Sequence, residues 1–338
     1  LRHRCRPAMK KSLLYRNTPV NYVFVVLLAI LAGGIRYTLA LSEPLQLTDY
    51  NFVFGLISIK AVPAEIDALI ISALFLLLAV VGNTINNRFY IVETAFQRPS
   101  FLIICFSALI ISGFGVVPAL LSLFLILAAL ARILPMFRKE NANSNAFDAG
   151  ILVSLAGLIS SYAFIFLTLI AIAMFSLRSI QRKEVFALIL GFATPLLFLF
   201  FGLYFFDYMP VFEKAFLSHR PFTPDLNKYS VANLISTASP LFLSLVALIH
   251  YSLASGFKKV ITRRYQGIVF YFAGITIIVM ILPLQTPGSA VFLLFPVSMA
   301  LSQLFAGTRS LWLRYFVWIV YLANVAGLLF FRINGVYQ

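Results

Sequence analysis

Apolar runs recur along the whole chain, and many approach the roughly 20 residues that carry a helix across a bilayer. That repetition restricts the fold more than any single motif. Hydrophobic residues make up 62% of the 338 positions and charged residues 11%, where soluble domains carry about a quarter. A soluble core of this size has no room for so much apolar surface. A transmembrane barrel needs polar and apolar positions to alternate, and these runs do not alternate. The expected class is therefore all-α, a polytopic integral membrane protein. Eleven spans are read, near 20–40, 66–85, 100–114, 117–135, 147–161, 162–177, 185–206, 233–254, 266–283, 289–305 and 312–331. The break at "LISSYAF" (158–164) leaves residues 147–177 open as one long kinked helix or a tight re-entrant pair, so the count is ten or eleven.

The net charge of +15 is carried by short basic clusters between the apolar runs. A nucleic-acid partner is not expected, because this is the pattern of cytoplasmic loops in membrane proteins. The N-terminal segment holds Lys10, Lys11 and Arg16. Alternate loops then hold Arg88 and Arg98, Arg138 and Lys139, Arg178 with Arg182 and Lys183, Lys258 to Arg264, and Arg309 with Arg314. The loops between them are poor in bases. The alternation predicts an N-terminus inside, a C-terminus outside and a multi-pass protein of the bacterial cytoplasmic (inner) membrane. Met9-Lys10-Lys11 has the form of a natural bacterial start, so residues 1–8 are expected to lie upstream of it and residues 9–338 to form a single transmembrane domain. The first span shows no clear small-residue cleavage site of a signal peptide. Cys5 and Cys105 make no framework, and no disulfide or metal pair is expected of them.

Acidic residues are scarce and unevenly placed. Of the 11 in the chain, Glu43, Asp49, Glu65 and Asp67 fall between positions 41 and 67, and Asp207, Glu213 and Asp225 between 207 and 232. Both stretches are predicted to face outward, as loops 41–65 and 207–232. An outward loop that merely avoids bases would have the same composition. Asp49, however, sits among aromatics in "LTDYNFVF", where burial against the membrane raises a carboxylate toward a general-base value. A carboxylate there could also ligate a divalent metal that holds a phosphate.

Other chemistry leaves no signature. No Gly-rich phosphate loop, HExxH, CxxC pair or nucleophile elbow is present. Ion-coupled transport needs acids or histidines within spans, and almost none lies deep in one. Asp148 is read at a helix start, where a carboxylate suits the helix dipole. His250 and Arg132 are read near the inner ends of spans, and Arg36 near the outer end of the first. Both arginines can reach the headgroups.

Two resemblances follow from these features. Residues 145–200 run "NAFDAGILVSLAGLISSYAF…", then a helix ending in Arg178, a "QRKE" turn and a helix with Pro195. This plan resembles a family of bacterial polytopic inner-membrane proteins catalogued only as a domain of unknown function, and the likeness extends over most of the chain. The overall layout is also similar to the GT-C glycosyltransferases, which use polyprenyl-phosphate sugar donors. In that family the first outward loop carries an acid acting as base or metal ligand, and an outward loop after span seven binds substrate. The resemblance implies a catalytic role for Asp49 or Glu43 and donor-phosphate contacts from Arg36, His219 and Arg220. This chain departs from that pattern in its shorter first loop, its lack of an adjacent acidic pair and its lack of a soluble outward domain.

The leading expectation is a membrane-embedded transferase that moves a sugar from a polyprenyl-phosphate carrier at the outer leaflet. It needs no ATP, since the carrier bond is already activated. Its partners would be membrane lipids and the lipid-linked substrate. The alternatives are an integral subunit of a larger envelope complex, with membrane-protein partners, and a lipid or small-solute transporter built on the break at Ser160–Tyr162 and on Pro195.

Overall fold

The computed structural model describes residues 64–91, 116–138, 141–177, 181–210, 260–281 and 291–307, with a few single positions elsewhere. Among these residues there are helices and turns and no strand. The elements are α1 (Ala64–Phe89), α2 (Val116–Ile133), α3 (Asn143–Ile159), α4 (Phe166–Leu177), α5 (Arg182–Phe205), α6 (Val260–Ile281) and α7 (Leu294–Gly307). Short 3-10 turns cover Leu134–Arg138 and Ser161–Ile165. Among the described residues, three helical stretches are long and apolar enough to cross a membrane: Ala68–Phe89, Val116–Phe137 and Arg182–Phe205. An apolar chain that cannot offer its backbone to water must satisfy it internally, and a helix does so residue by residue. The predicted spans at 20–40, 100–114, 233–254 and 312–331 lie almost wholly outside the described residues.

Local sequence sets the helix ends. Pro135, two residues beyond Ile133, has no N–H to donate, and α2 gives way to a 3-10 turn there. Pro118 lies in the first turn of α2, where a missing N–H costs nothing. At the start of α5 the Glu184 carboxylate reaches back to the Gln181 N–H at 3.4 Å. This capping box draws Arg182 and Lys183 into the helix. At the other end of α5, Asp207 takes φ 55°, and Tyr208 N donates to Leu203 O at 2.9 Å. That is the left-handed closure usually given to glycine.

Residues 143–177 form a pair of helices, which decides between the two readings of the sequence. Ser160 is extended (φ −135°, ψ 114°) and the 3-10 turn Ser161–Ile165 follows. The irregular backbone falls at the expected Ser160–Tyr162 break. The chain reverses there. Asn145 near the start of α3 bonds to Arg132 at the end of α2. Leu177 at the end of α4 meets Arg264 near the start of α6, and the next residue, Tyr265, bonds to Leu134. Both ends of the hairpin therefore lie at one end of the bundle.

Packing is closest where α3 crosses α5. A methyl group on Gly150 would fall 2.7 Å from Phe192 N, and one on Gly191 would fall 2.9 Å from the Phe147 carbonyl carbon. Small residues let two backbones approach this closely, and dispersion and shape then hold them without a hydrophobic drive. Phe164, on the hairpin tip, meets Phe192 edge-on with centroids 5.8 Å apart. Deeper in the bundle, Phe166 packs against Phe272 and Phe292 at 5.1 and 4.9 Å, joining α4, α6 and the turn before α7. α1 and α5 lie at the edge. Leu69, Val80, Phe198, Phe201 and Phe205 all expose most of their surface.

Candidate functional site

The sequence-predicted residues Arg36, Glu43, Asp49, His219 and Arg220 lie outside the described residues, so the structure neither unites nor separates them. What it does assemble is a polar layer at the end of the bundle where the basic turns meet.

Helices α2 to α6, the 3-10 turn after α2 and the residue just past α1 contribute to that layer, and each of its five bonds ties a side chain to a distant backbone group. Tyr265 Oη on α6 donates to Leu134 O at 3.2 Å. Gln266 Nε2 donates to Ile91 O, just past α1, at 3.1 Å. An Arg264 guanidinium N–H donates to Leu177 O, a carbonyl that the end of α4 leaves without a helical partner. The same guanidinium lies over the Phe137 ring, 5.7 Å from its centroid. Asn145 Nδ2 donates to Arg132 O at 2.6 Å. Glu184 Oε1 accepts from Ala142 N at 3.2 Å, fastening the turn before α3 to the start of α5.

Glu184 is fully buried. Its two oxygens serve two backbone N–H groups, an arrangement suited to holding helices together. Glu184→Ala is expected to cost about 1–3 kcal/mol, the range for leaving a buried donor unmet. Its thermal midpoint in detergent should fall below that of Glu184→Gln, which keeps an acceptor oxygen. Equal midpoints for both variants and the parent would remove the latch.

Asp148 differs from expectation. It sits beyond the first turn of α3, which holds no acid, and pairs with Arg132 at 3.8 Å instead of capping the helix. Arg132 is in the last turn of α2 with 61% of its side chain exposed, as expected of an arginine reaching outward from a helix end. Among the described residues, three amide oxygens, Asn83 Oδ1, Gln266 Oε1 and Gln303 Oε1, are buried with no hydrogen-bond donor.

Sequence reading passed over Glu184, Asn145, Tyr265 and Gln266. The Gln181-to-Glu184 spacing was a visible capping signal, and Gln266 is a bare amide at the mouth of an apolar run.

The sequence profile of a family of unknown function, DUF6427, matches residues 44–337. The chain belongs to this family. The match bears out the resemblance first drawn from residues 145–200, and it carries no activity. No curated protein and no solved structure matches the chain. The match takes in Asp49, His219 and Arg220 as well as the polar layer, and leaves Arg36 and Glu43 before its start.

Proposed function

We propose that the chain is a single-domain protein of the bacterial inner membrane, with about eleven spans, its N-terminus inside and its C-terminus outside. On this reading it moves a sugar from a polyprenyl-phosphate carrier at the outer leaflet. The supporting observation is the gathering of basic helix ends. Arg88, Arg132, Arg182, Lys183, Arg263 and Arg264 belong to helix ends that share hydrogen bonds or ring contacts at one end of the bundle. α1 and α5 run roughly 39 and 36 Å away from it at 1.5 Å per residue. Stretch 41–65 leads into α1, and stretch 207–232 leaves α5. Both are thereby attached to the opposite end, the one bearing Glu65 and Asp207.

On this reading Asp49 or Glu43 is the base or the ligand of a divalent metal. Arg36, His219 and Arg220 meet the donor phosphate. The purified protein in vesicles, given a polyprenyl-phosphate-linked sugar and a mixture of acceptor lipids, should release the undecorated carrier, read by mass spectrometry. Carrier that stays fully loaded removes the transferase reading. A second reading, an integral subunit of an envelope complex, draws on the exposed apolar face of α5. It predicts a protein neighbour there and no carrier release.

Orientation has its own test. Single cysteines at Ser42 and Ser218 should react with a membrane-impermeant maleimide added to intact cells from outside, and one at Ser179 should not. Labelling at Ser179 equal to the other two would reverse the map.

A further inference from the structure

We propose that a corner of the basic end, built from Arg132, Phe137, Arg182, Lys183 and Arg264, binds the headgroup of an anionic phospholipid. The inference rests on the chain spanning a membrane and is independent of any transferase activity.

The corner is continuous through observed contacts. Arg264 stacks over Phe137, and its neighbour Tyr265 bonds to Leu134. Two residues before Leu134, the Arg132 carbonyl is held by Asn145. Three residues before Asn145, Ala142 donates to Glu184, which follows Arg182 and Lys183 directly. Four bases from three elements thus share one rim. Among the described residues two acids lie nearby, and the four bases outnumber them. Glu184 is buried and committed to backbone N–H groups. Asp148 Oδ2 pairs with Arg132 Nη1 at 3.8 Å and offsets one of the four bases.

Two features point to a phosphate-bearing lipid. Arg182 and Lys183 occupy the first turn of α5, where the positive end of the helix dipole already disfavours cations. Together they concentrate positive charge that an anion relieves. Guanidinium forks such as that of Arg132 match phosphate oxygens in pairs. The rim also stands at the ends of α2 and α5, two helices of membrane-crossing length. That is the level of the headgroups, and Phe137, 40% exposed beside Arg264, supplies the interfacial aromatic. Nucleic acid or an acidic protein would have to approach through that headgroup layer.

Native mass spectrometry of the full chain, released from micelles with phosphatidylglycerol or phosphatidylcholine of identical acyl chains, tests the proposal. About tenfold tighter retention of phosphatidylglycerol is expected, given the strength of basic residues at an anionic surface. The preference should vanish in the exposed-residue variant R132Q/R182Q/K183Q and shrink in the milder R182Q/K183Q. R88Q, at the same end but off the corner, should keep it. Folding of each variant is checked by circular dichroism. Equal retention of the two lipids would sink the proposal, as would an R88Q loss as large as the triple variant's, which would mean diffuse attraction. Full displacement by equimolar inorganic phosphate would also overturn it, in favour of a free-anion site.

Discussion

Gly191→Leu is expected to prise α3 from α5 and abolish accumulation of the folded protein, with Gly191→Ala a milder version of the same defect. The reason is geometric. A Cβ at Gly191 meets the Phe147 backbone, and one at Gly150 meets the backbone of Leu188 and Phe192. Backbone cannot swing aside as a side chain does, so the two helices must separate. Overpacking costs about 1–3 kcal/mol where neighbours can adjust. Two facing backbones put Gly191→Leu at or above the top of that range. Separation would also stretch the Glu184 bond to Ala142 and the Phe164–Phe192 contact. Size-exclusion profiles and thermal midpoints in detergent read the effect. Gly202, on the same helix, has open space around its would-be Cβ and is the control. Gly202→Ala should behave as the parent. A Gly191→Leu protein that melts with the parent would show that the close crossing contributes nothing.

The second large effect concerns Asp49. In the carrier-release assay, Asp49→Asn should lower the rate by a factor of roughly 10² or more, the scale for losing a general base. The substitution keeps the side chain's shape and removes its charge, so insertion and size-exclusion profile should be unchanged. Glu43→Gln separates the two candidate carboxylates. Whichever residue is the base, its variant drops and the other holds most of the parent rate. If neither variant loses activity while the parent releases carrier, the catalytic acid lies elsewhere. If the parent itself is inactive, the subunit reading takes over.

The sequence made the helices legible because apolar length and terminal Pro or charged residues act locally. The expected spans at 117–135 and 185–206 meet α2 and α5 to within a few residues. Two of the boundary misses share one cause. α6 begins at Val260 rather than near 266, and α3 at Asn143 rather than 147. In both, the helix continues past its apolar stretch into polar residues. Those residues, Arg264, Tyr265 and Asn145, bond to carbonyls in other elements. Such partners are set by tertiary packing and leave no periodic trace in the chain. The polar layer was hidden for that reason, whereas the capping box of α5 was local and readable. The candidate catalytic residues Asp49 and Glu43 were read from charge placement and flanking aromatics alone, and they lie outside the described residues.

The unequal helix lengths have a consequence for the surrounding bilayer. α4 has 12 residues and α3 has 17, about 18 and 26 Å of helix, both short of a hydrocarbon core of about 30 Å. Both lie largely buried in the bundle, so lipid does not set their length. Among the described helices, α1 and α5, with 26 and 24 residues, offer long runs of exposed apolar side chains to acyl chains. Hydrophobic mismatch would therefore be felt at the rim and not at the centre. A thicker bilayer would change the tilt of α1 and α5, while the hairpin between them keeps its own depth, insulated from membrane thickness by its neighbours.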